Sequence, residues 1–185
     1  MKIYKQIWRY LKECRTYFLI VSIIFLASLL IGYVFPVFFV DLIQELLKKL
    51  AGEAAGLGFF QLLVFILENN IMTAFVGMVF GILLVFPVLI VLLNGYVLGF
   101  VMNKTSEVAG SLVLFRLLPH GVFELPALII SLGLGLRIGM FIFHKNKKKD
   151  LKYALENSLR VFLFVVIPLL VVAGFIEAWL IVFLG

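Results

Sequence analysis

The spacing of charged and apolar positions divides this chain into membrane-length pieces. Tyr17–Val40, Ile71–Asn103 and Val161–Ile176 contain no Asp, Glu, Lys or Arg. A helix that crosses a bilayer needs roughly 20 mostly apolar residues. The first stretch predicts one span. The second is long enough for one strongly tilted helix or two short ones, and Pro87 near its middle either kinks a helix or marks a turn. Between them, Leu42, Ile43, Leu46, Leu47 and Leu50 share one helical face, with Asp41, Gln44, Glu45, Lys48 and Lys49 on the other. That is an amphipathic helix suited to the outer membrane surface. Gly52 to Gly58 is a break. Phe59–Leu67 reads as a short interfacial or re-entrant piece. Glu68-Asn69-Asn70 then stops the apolar run, and Asn as a helix cap predicts a new helix from about Ile71. Asn103–Gly110 reads as a polar outer loop and Leu112–Leu118 as a re-entrant segment. His120–His144 and Arg160–Leu184 are the last two spans.

Charge orients these pieces. The formal net charge is +6 in 185 residues. Residues 1–16 hold five basic residues against Glu13, and residues 145–152 hold five lysines against Asp150, so each segment carries +4 and the remainder −2. Short basic segments beside apolar spans mark the cytoplasmic side and also suit anionic headgroups. An even number of crossings must then separate them, which divides 71–102 into spans at about 71–86 and 88–102. The expectation is an all-α polytopic bundle of about five spans. It forms a single integral membrane domain over 1–185 in the plasma membrane, with the amino terminus cytoplasmic and the carboxyl terminus outside. The first apolar stretch is too long for a signal-peptide core and reads as a retained span.

Composition narrows the function classes. A chain that is 64% hydrophobic is no ordinary soluble globular domain. Its basic runs lack the aromatic or Gly-rich company that nucleic-acid binding requires, so no nucleic acid is expected as a partner. Cys14 is the single cysteine, which excludes an intrachain disulfide and a cysteine-based metal site. Gly77/Gly81, Gly95/Gly99 and Gly135/Gly139 are small-xxx-small pairs that let helices approach, first within one subunit and second in a homo-oligomer.

The candidate chemistry lies in polar residues at membrane depth, where an ionisable group is costly unless it is paired or hydrated. His120 and Glu124 are one helical turn apart and share a face. Asn69 and Asn70 begin the expected second span from the same side. Glu177 lies 17 residues past Arg160 (177 − 160), about 26 Å along its helix, near the outer leaflet. Asn94 sits in the third span. His120, Glu124 and Glu177, with Asn69, Asn70 and Asn94, therefore predict an outer-leaflet polar pocket. Three uses compete for it. The acids and imidazole can pin helix ends. They can bind a small polar ligand, a lipid headgroup or a divalent metal such as zinc, with His120, Glu124 and Glu177 as ligands. They can form a hydrolytic centre with Glu124 or Glu177 as general base. No HExxH, GxSxG or Ser/Lys pattern is present, and no catalytic residue is assigned. Arg137, some 13 residues from Glu124, reads as snorkelling to the cytoplasmic interface.

Several of these pieces together resemble the stage II sporulation protein M family of prokaryotic membrane proteins. They are Asn69-Asn70, Gly81, Asn94-Gly95 with Gly99, Leu118-Pro119-His120-Gly121 with Phe123-Glu124-Leu125-Pro126-Ala127, Gly135 with Gly139, and Ile176-Glu177-Ala178. The resemblance runs from about Glu68 to the carboxyl terminus. It implies about five spans and little soluble structure. It also implies a scaffold or partner-binding subunit that works with other membrane or envelope proteins, since the namesake anchors cell-wall hydrolases during engulfment. It carries no catalytic mechanism to His120, Glu124 or Glu177.

Overall fold

A computed structural model of the chain describes residues 2–109 and 114–184, with side chains described over 3–107 and 121–183. Every regular element among them is helical. The order is α1 (Lys2–Glu13), α2 (Arg15–Val34), α3 (Val40–Ala54), α4 (Phe59–Val79), α5 (Val85–Ala109), α6 (Leu114–Gly139), α7 (Lys147–Val161) and α8 (Ile167–Leu184). Five helical stretches are long and apolar enough to cross a membrane: Arg15–Val34, Phe59–Leu83, Val85–Glu107, Gly121–Phe143 and Lys147–Phe183. The expected count of five therefore stands, and several boundaries move.

The largest change is at α4. Its first turn follows Gly58, whose backbone N–H donates to Gln61 Oε1 (3.1 Å). The helix then runs through Phe59–Leu67 and straight across Glu68-Asn69-Asn70 to Val79. The interfacial piece expected over Phe59–Leu67 is the first half of this span, and the asparagines expected to cap a helix lie inside one. A glycine break with a local side-chain acceptor outcompetes the later asparagines as the start signal.

The turn expected near Pro87 is present. A short 3-10 turn over Phe80–Leu83 leads to Leu84, which adopts a left-handed backbone (φ 53°) before α5 begins. Pro87 falls in the first turn of α5, where its missing N–H costs little. Leu114–Leu118, expected to be re-entrant, forms the first turns of α6; 112 and 113 lie outside the described residues. Asn103 to Ala109, expected as loop, continues α5. The basic segment 145–152 is mostly helix rather than loop, because α7 starts at Lys147. It continues into α8 through a π-turn over Phe162–Val166. Pro168 explains that turn, since it offers no N–H to the carbonyl of Phe164 and its ring crowds that carbonyl.

α6 is the central element: 56% of its span window is buried, against 22–33% for the other four. One of its faces, Leu128, Leu132 and Leu136, packs with Val21 and Phe25 of α2 and Val91 of α5. The other, Ala127, Leu134 and Ile138, packs with Ala74 and Met78 of α4 and with Val166 and Leu170. That second cluster extends to Tyr10 and Cys14, which seat α1 against Ala154 of α7. The glycine pairs sit at the tightest crossings. A methyl group on Gly81 would overlap the backbone of Gly135, one on Gly99 would meet the Leu29 carbonyl, and one on Gly95 would meet Ser28 and the Phe25 carbonyl. Packing within one subunit, the first use assigned to these pairs, is the one observed.

The two basic segments meet at one end of the bundle. The Tyr10 hydroxyl donates to the Ala154 carbonyl (3.2 Å) and pairs with Ser158 Oγ (3.1 Å), while Tyr153 donates to Glu13 (2.9 Å). At the opposite end, the Tyr96 hydroxyl accepts from Phe38 N–H (2.9 Å) and lies 3.0 Å from the Phe35 carbonyl, holding the chain between α2 and α3. α3 covers the amphipathic segment expected there, burying Ile43 and leaving Leu42 and Leu46 exposed.

Candidate functional site

Because α4 begins at Phe59, Asn69 and Asn70 are carried deep into it. Asn70 is 11 residues from Phe59 and 13 from Leu83, and Asn94 is 9 residues from Val85. At roughly 1.5 Å per residue these are depths of about 14–20 Å along the helices. The polar residues lie within the spans, not at their ends.

They line one cavity of about 90 Å³. Asn69, Asn70 and Thr73 enter from α4, Asn94 from α5 and Glu124 from α6. Ala74, Leu128 and Leu170 form its apolar floor. Helical periodicity explains the α4 contribution, since residues 70, 73 and 74 share a face. The floor is fixed from below. Ser131 Oγ donates to the Ala74 carbonyl (2.7 Å), joining α6 to α4 through a fully buried bond. One turn below Thr73, a methyl on Gly77 would meet Leu132 and Ile90, so α4, α5 and α6 close tightly there.

Two of the amides are already oriented. Asn94 Nδ2 donates to the Ile90 carbonyl (2.9 Å), one turn back in its own helix rather than across to a neighbour. Asn69 Nδ2 donates to Asn70 Oδ1 (3.3 Å). Pro126, one turn past Val122 in α6, has no N–H to offer that residue's carbonyl, which adds an acceptor near Glu124.

Four of the six candidate residues thus line the same space: Asn69, Asn70, Asn94 and Glu124. Glu177 does not line it. It lies seven residues after Leu170 on the same face of α8, about 10 Å further along the axis. His120 is one turn before Glu124 in α6, and its side chain lies outside the described residues. Among the described residues no three of His, Cys, Asp and Glu gather as metal ligands. Thr73 and the three floor residues were missed from the sequence. The signal for Thr73 was its three-residue spacing from Asn70, hidden by treating Asn70 as a cap.

Arg137 does not snorkel. It forms a two-point ion pair with Asp150, Nη1 to Oδ2 at 2.9 Å and Nη2 to Oδ1 at 2.7 Å, and His144 Nδ1 approaches the same carboxylate at 3.4 Å. The 3-10 turn over Met140–Phe143 and the bend that follows bring the first turn of α7 back to α6. Nearby, a shallow hollow of about 570 Å³ is lined by Lys145 to Lys149. Its side chains are exposed and the hollow is open to solvent, so it is a solvated basic surface.

Five helices long and apolar enough to cross a bilayer define a multi-pass helical membrane protein. The family model for stage II sporulation protein M matches residues 20–180, and the chain belongs to that family. An uncharacterised protein of Methanocaldococcus jannaschii is 28% identical over 174 residues, covering 86% of this chain and 78% of its own length. No solved structure matches.

Proposed function

We propose that this protein binds a small polar ligand in the cavity around Glu124, within the membrane. The observation that carries the reading is the convergence of Asn69, Asn70, Thr73, Asn94 and Glu124 from three helices on one space. Polar groups at such depth are expensive unless satisfied, and these five line a common cavity. Room for about 90 Å³ corresponds to roughly three waters. The ligand is therefore an ion, a few waters or the tip of a headgroup rather than a metabolite of ordinary size.

The basic segments support a cytoplasmic amino terminus, because both meet at one end of the bundle and five crossings then leave the carboxyl terminus outside. The plasma membrane is the location this orientation fits. The scaffold role that the family resemblance implies, with membrane or envelope proteins as partners, uses the same fold and is separated by experiment.

Water access tests the ligand reading. Thr73→Cys in membranes should react with a small charged thiosulfonate, and the lipid-facing control Leu93→Cys should not. Reaction at Thr73→Cys as slow as at Leu93→Cys would end the proposal. A change in partner recovery on Glu124→Gln, with Thr73→Cys unreactive, would favour the scaffold.

A further inference from the structure

Three strips run along α1. At roughly 3.6 residues per turn, Ile3, Ile7 and Tyr10 fall together. They face the bundle: Ile7 and Tyr10 are buried in the cluster that holds Ala154, and Ile3 packs against it. Tyr4 and Trp8 share the flank beside that strip and are 65% and 62% exposed. Lys5, Arg9 and Lys12 occupy the next strip round and are exposed. Lys12 Nζ lies 5.3 Å from the centre of the Trp8 ring, so the aromatic and basic strips touch. This order of bundle-facing, aromatic and basic strips suits a helix that lies along a membrane surface with one side against protein.

The depth of α1 agrees. Its last residue, Glu13, stands just before Tyr17, where the charge-free run of α2 begins. Near its other end, Tyr4 meets Phe164 nearly edge-on, with ring centres 6.4 Å apart. Phe164 lies in the π-turn just past Arg160, at the start of the last charge-free run, and is exposed on the outside of the bundle. Both ends of α1 are therefore held where apolar chain begins. The exposed aromatic flank is continuous with the lipid-facing side of the fifth span. Tyr and Trp are the residues that settle at this level of a bilayer.

The basic strip has no internal counter-charge. Among the described residues, Lys5, Arg9 and Lys12 form no ion pair. Glu13, the one acid in α1, accepts from Tyr153 of α7 on another side of the helix. No Asp or Glu occurs at 1–2, 108–120 or 184–185, so all ten acidic side chains of the protein are among those described. A cationic strip beside an aromatic flank at the edge of the hydrocarbon complements anionic headgroups above acyl chains.

We propose that α1 is an interfacial helix whose Lys5, Arg9 and Lys12 bind the headgroup phosphates of anionic phospholipid in the adjacent leaflet, with Tyr4 and Trp8 seated among the upper acyl chains. This surface is separate from the Glu124 cavity and does not depend on what that cavity binds.

Trp8 reports on it directly. Trp179→Phe leaves Trp8 as the only tryptophan in the chain. The full-length variant is reconstituted in vesicles of phosphatidylcholine and phosphatidylglycerol in equal parts, with bromine near the headgroup end of the acyl chains of one lipid or the other. Both brominated lipids should quench Trp8. Brominated phosphatidylglycerol should quench more, giving a preference of roughly fivefold at low salt, which is what one basic residue near an anionic surface supplies. High salt should reduce the preference. Replacing Lys5, Arg9 and Lys12 together by Gln should bring it to parity while quenching by brominated phosphatidylcholine persists. Lys48→Gln with Lys49→Gln, on α3 at the opposite end of the bundle, should leave it unchanged. Equal quenching by the two lipids, or a preference that the triple variant keeps, overturns the headgroup assignment. Trp8 quenched by aqueous acrylamide and by neither brominated lipid overturns the membrane seat as well, and leaves this face to an acidic soluble partner.

Discussion

Arg137, four residues before the 3-10 turn Phe141, grips Asp150 with two parallel hydrogen bonds of 2.9 and 2.7 Å, although the two lie on different helices. Both side chains are largely buried, 12% and 17% exposed. The pair fixes how α7 leaves the bundle. Asp150→Ala would strand the guanidinium beside apolar neighbours. It should lower stability by about 2–3 kcal/mol, toward the low end for a broken buried pair because some solvent reaches both groups. Arg137→Lys keeps the charge and loses the fork, so it should fall between. Thermal unfolding in detergent measures the order.

Tyr10 ties the amino-terminal helix to α7 through the Ala154 carbonyl and Ser158. Tyr10→Phe removes these bonds while keeping the ring, at a cost of about 1 kcal/mol. Because α1 packs chiefly through this face, limited trypsin digestion at Lys5, Arg9 and Lys12 should become faster with the rest of the chain intact.

Cys14 is fully buried, and burial first, with Glu13 nearby, pushes its thiol up to about 12. The thiolate is the nucleophile, so at pH 8 the native protein should react with maleimide on the order of a thousandfold more slowly than a free cysteine. Denaturant should restore the reaction. Between the free thiol's usual pKa near 8.5 and about 12, the unfolded chain loses this proton and the folded chain keeps it. The group therefore favours unfolding progressively as pH rises through that window, and Cys14→Ala should flatten the alkaline fall in stability.

Two glycine substitutions should act in opposite directions. A methyl at Gly81 meets the Gly135 backbone, which cannot rotate away, so Gly81→Ala should cost about 1–3 kcal/mol as overpacking. Gly52 lies within α3 with nothing within 4 Å of its added methyl. Gly52→Ala should stabilise by roughly 0.5–1 kcal/mol, because alanine loses less backbone freedom in a helix. Parallel melting curves of the two variants give the comparison.

Much of this arrangement was legible in the chain alone. The charge-free stretches and the parity imposed by two basic segments gave five crossings with a turn near Pro87. Both signals are averages over many residues, and transfer energetics act on whole segments. The gathering of Asn69, Asn70, Asn94 and Glu124 was also visible, because polar side chains at membrane depth stand out against an apolar background and must find one another or water.

What the sequence could not settle was decided by contacts between distant segments. Whether α4 starts at Phe59 or Ile71 depends on a local competition between two start signals, and the packing of Leu62 and Ile66 with Ala178 tips it toward the first. That choice moved Asn69 and Asn70 from the end of a span to its interior. Arg137 found Asp150 only because the bend after Phe143 folds α7 back, a geometry that no periodicity encodes. The same holds for Glu177, whose place along its helix was readable while its separation from the cavity was not. Local pattern fixes the length and face of each helix, because those follow from backbone period and solvent preference. Register and rotation between helices follow from side-chain interlocking at crossings such as Gly81 on Gly135, and only the assembled structure determines them.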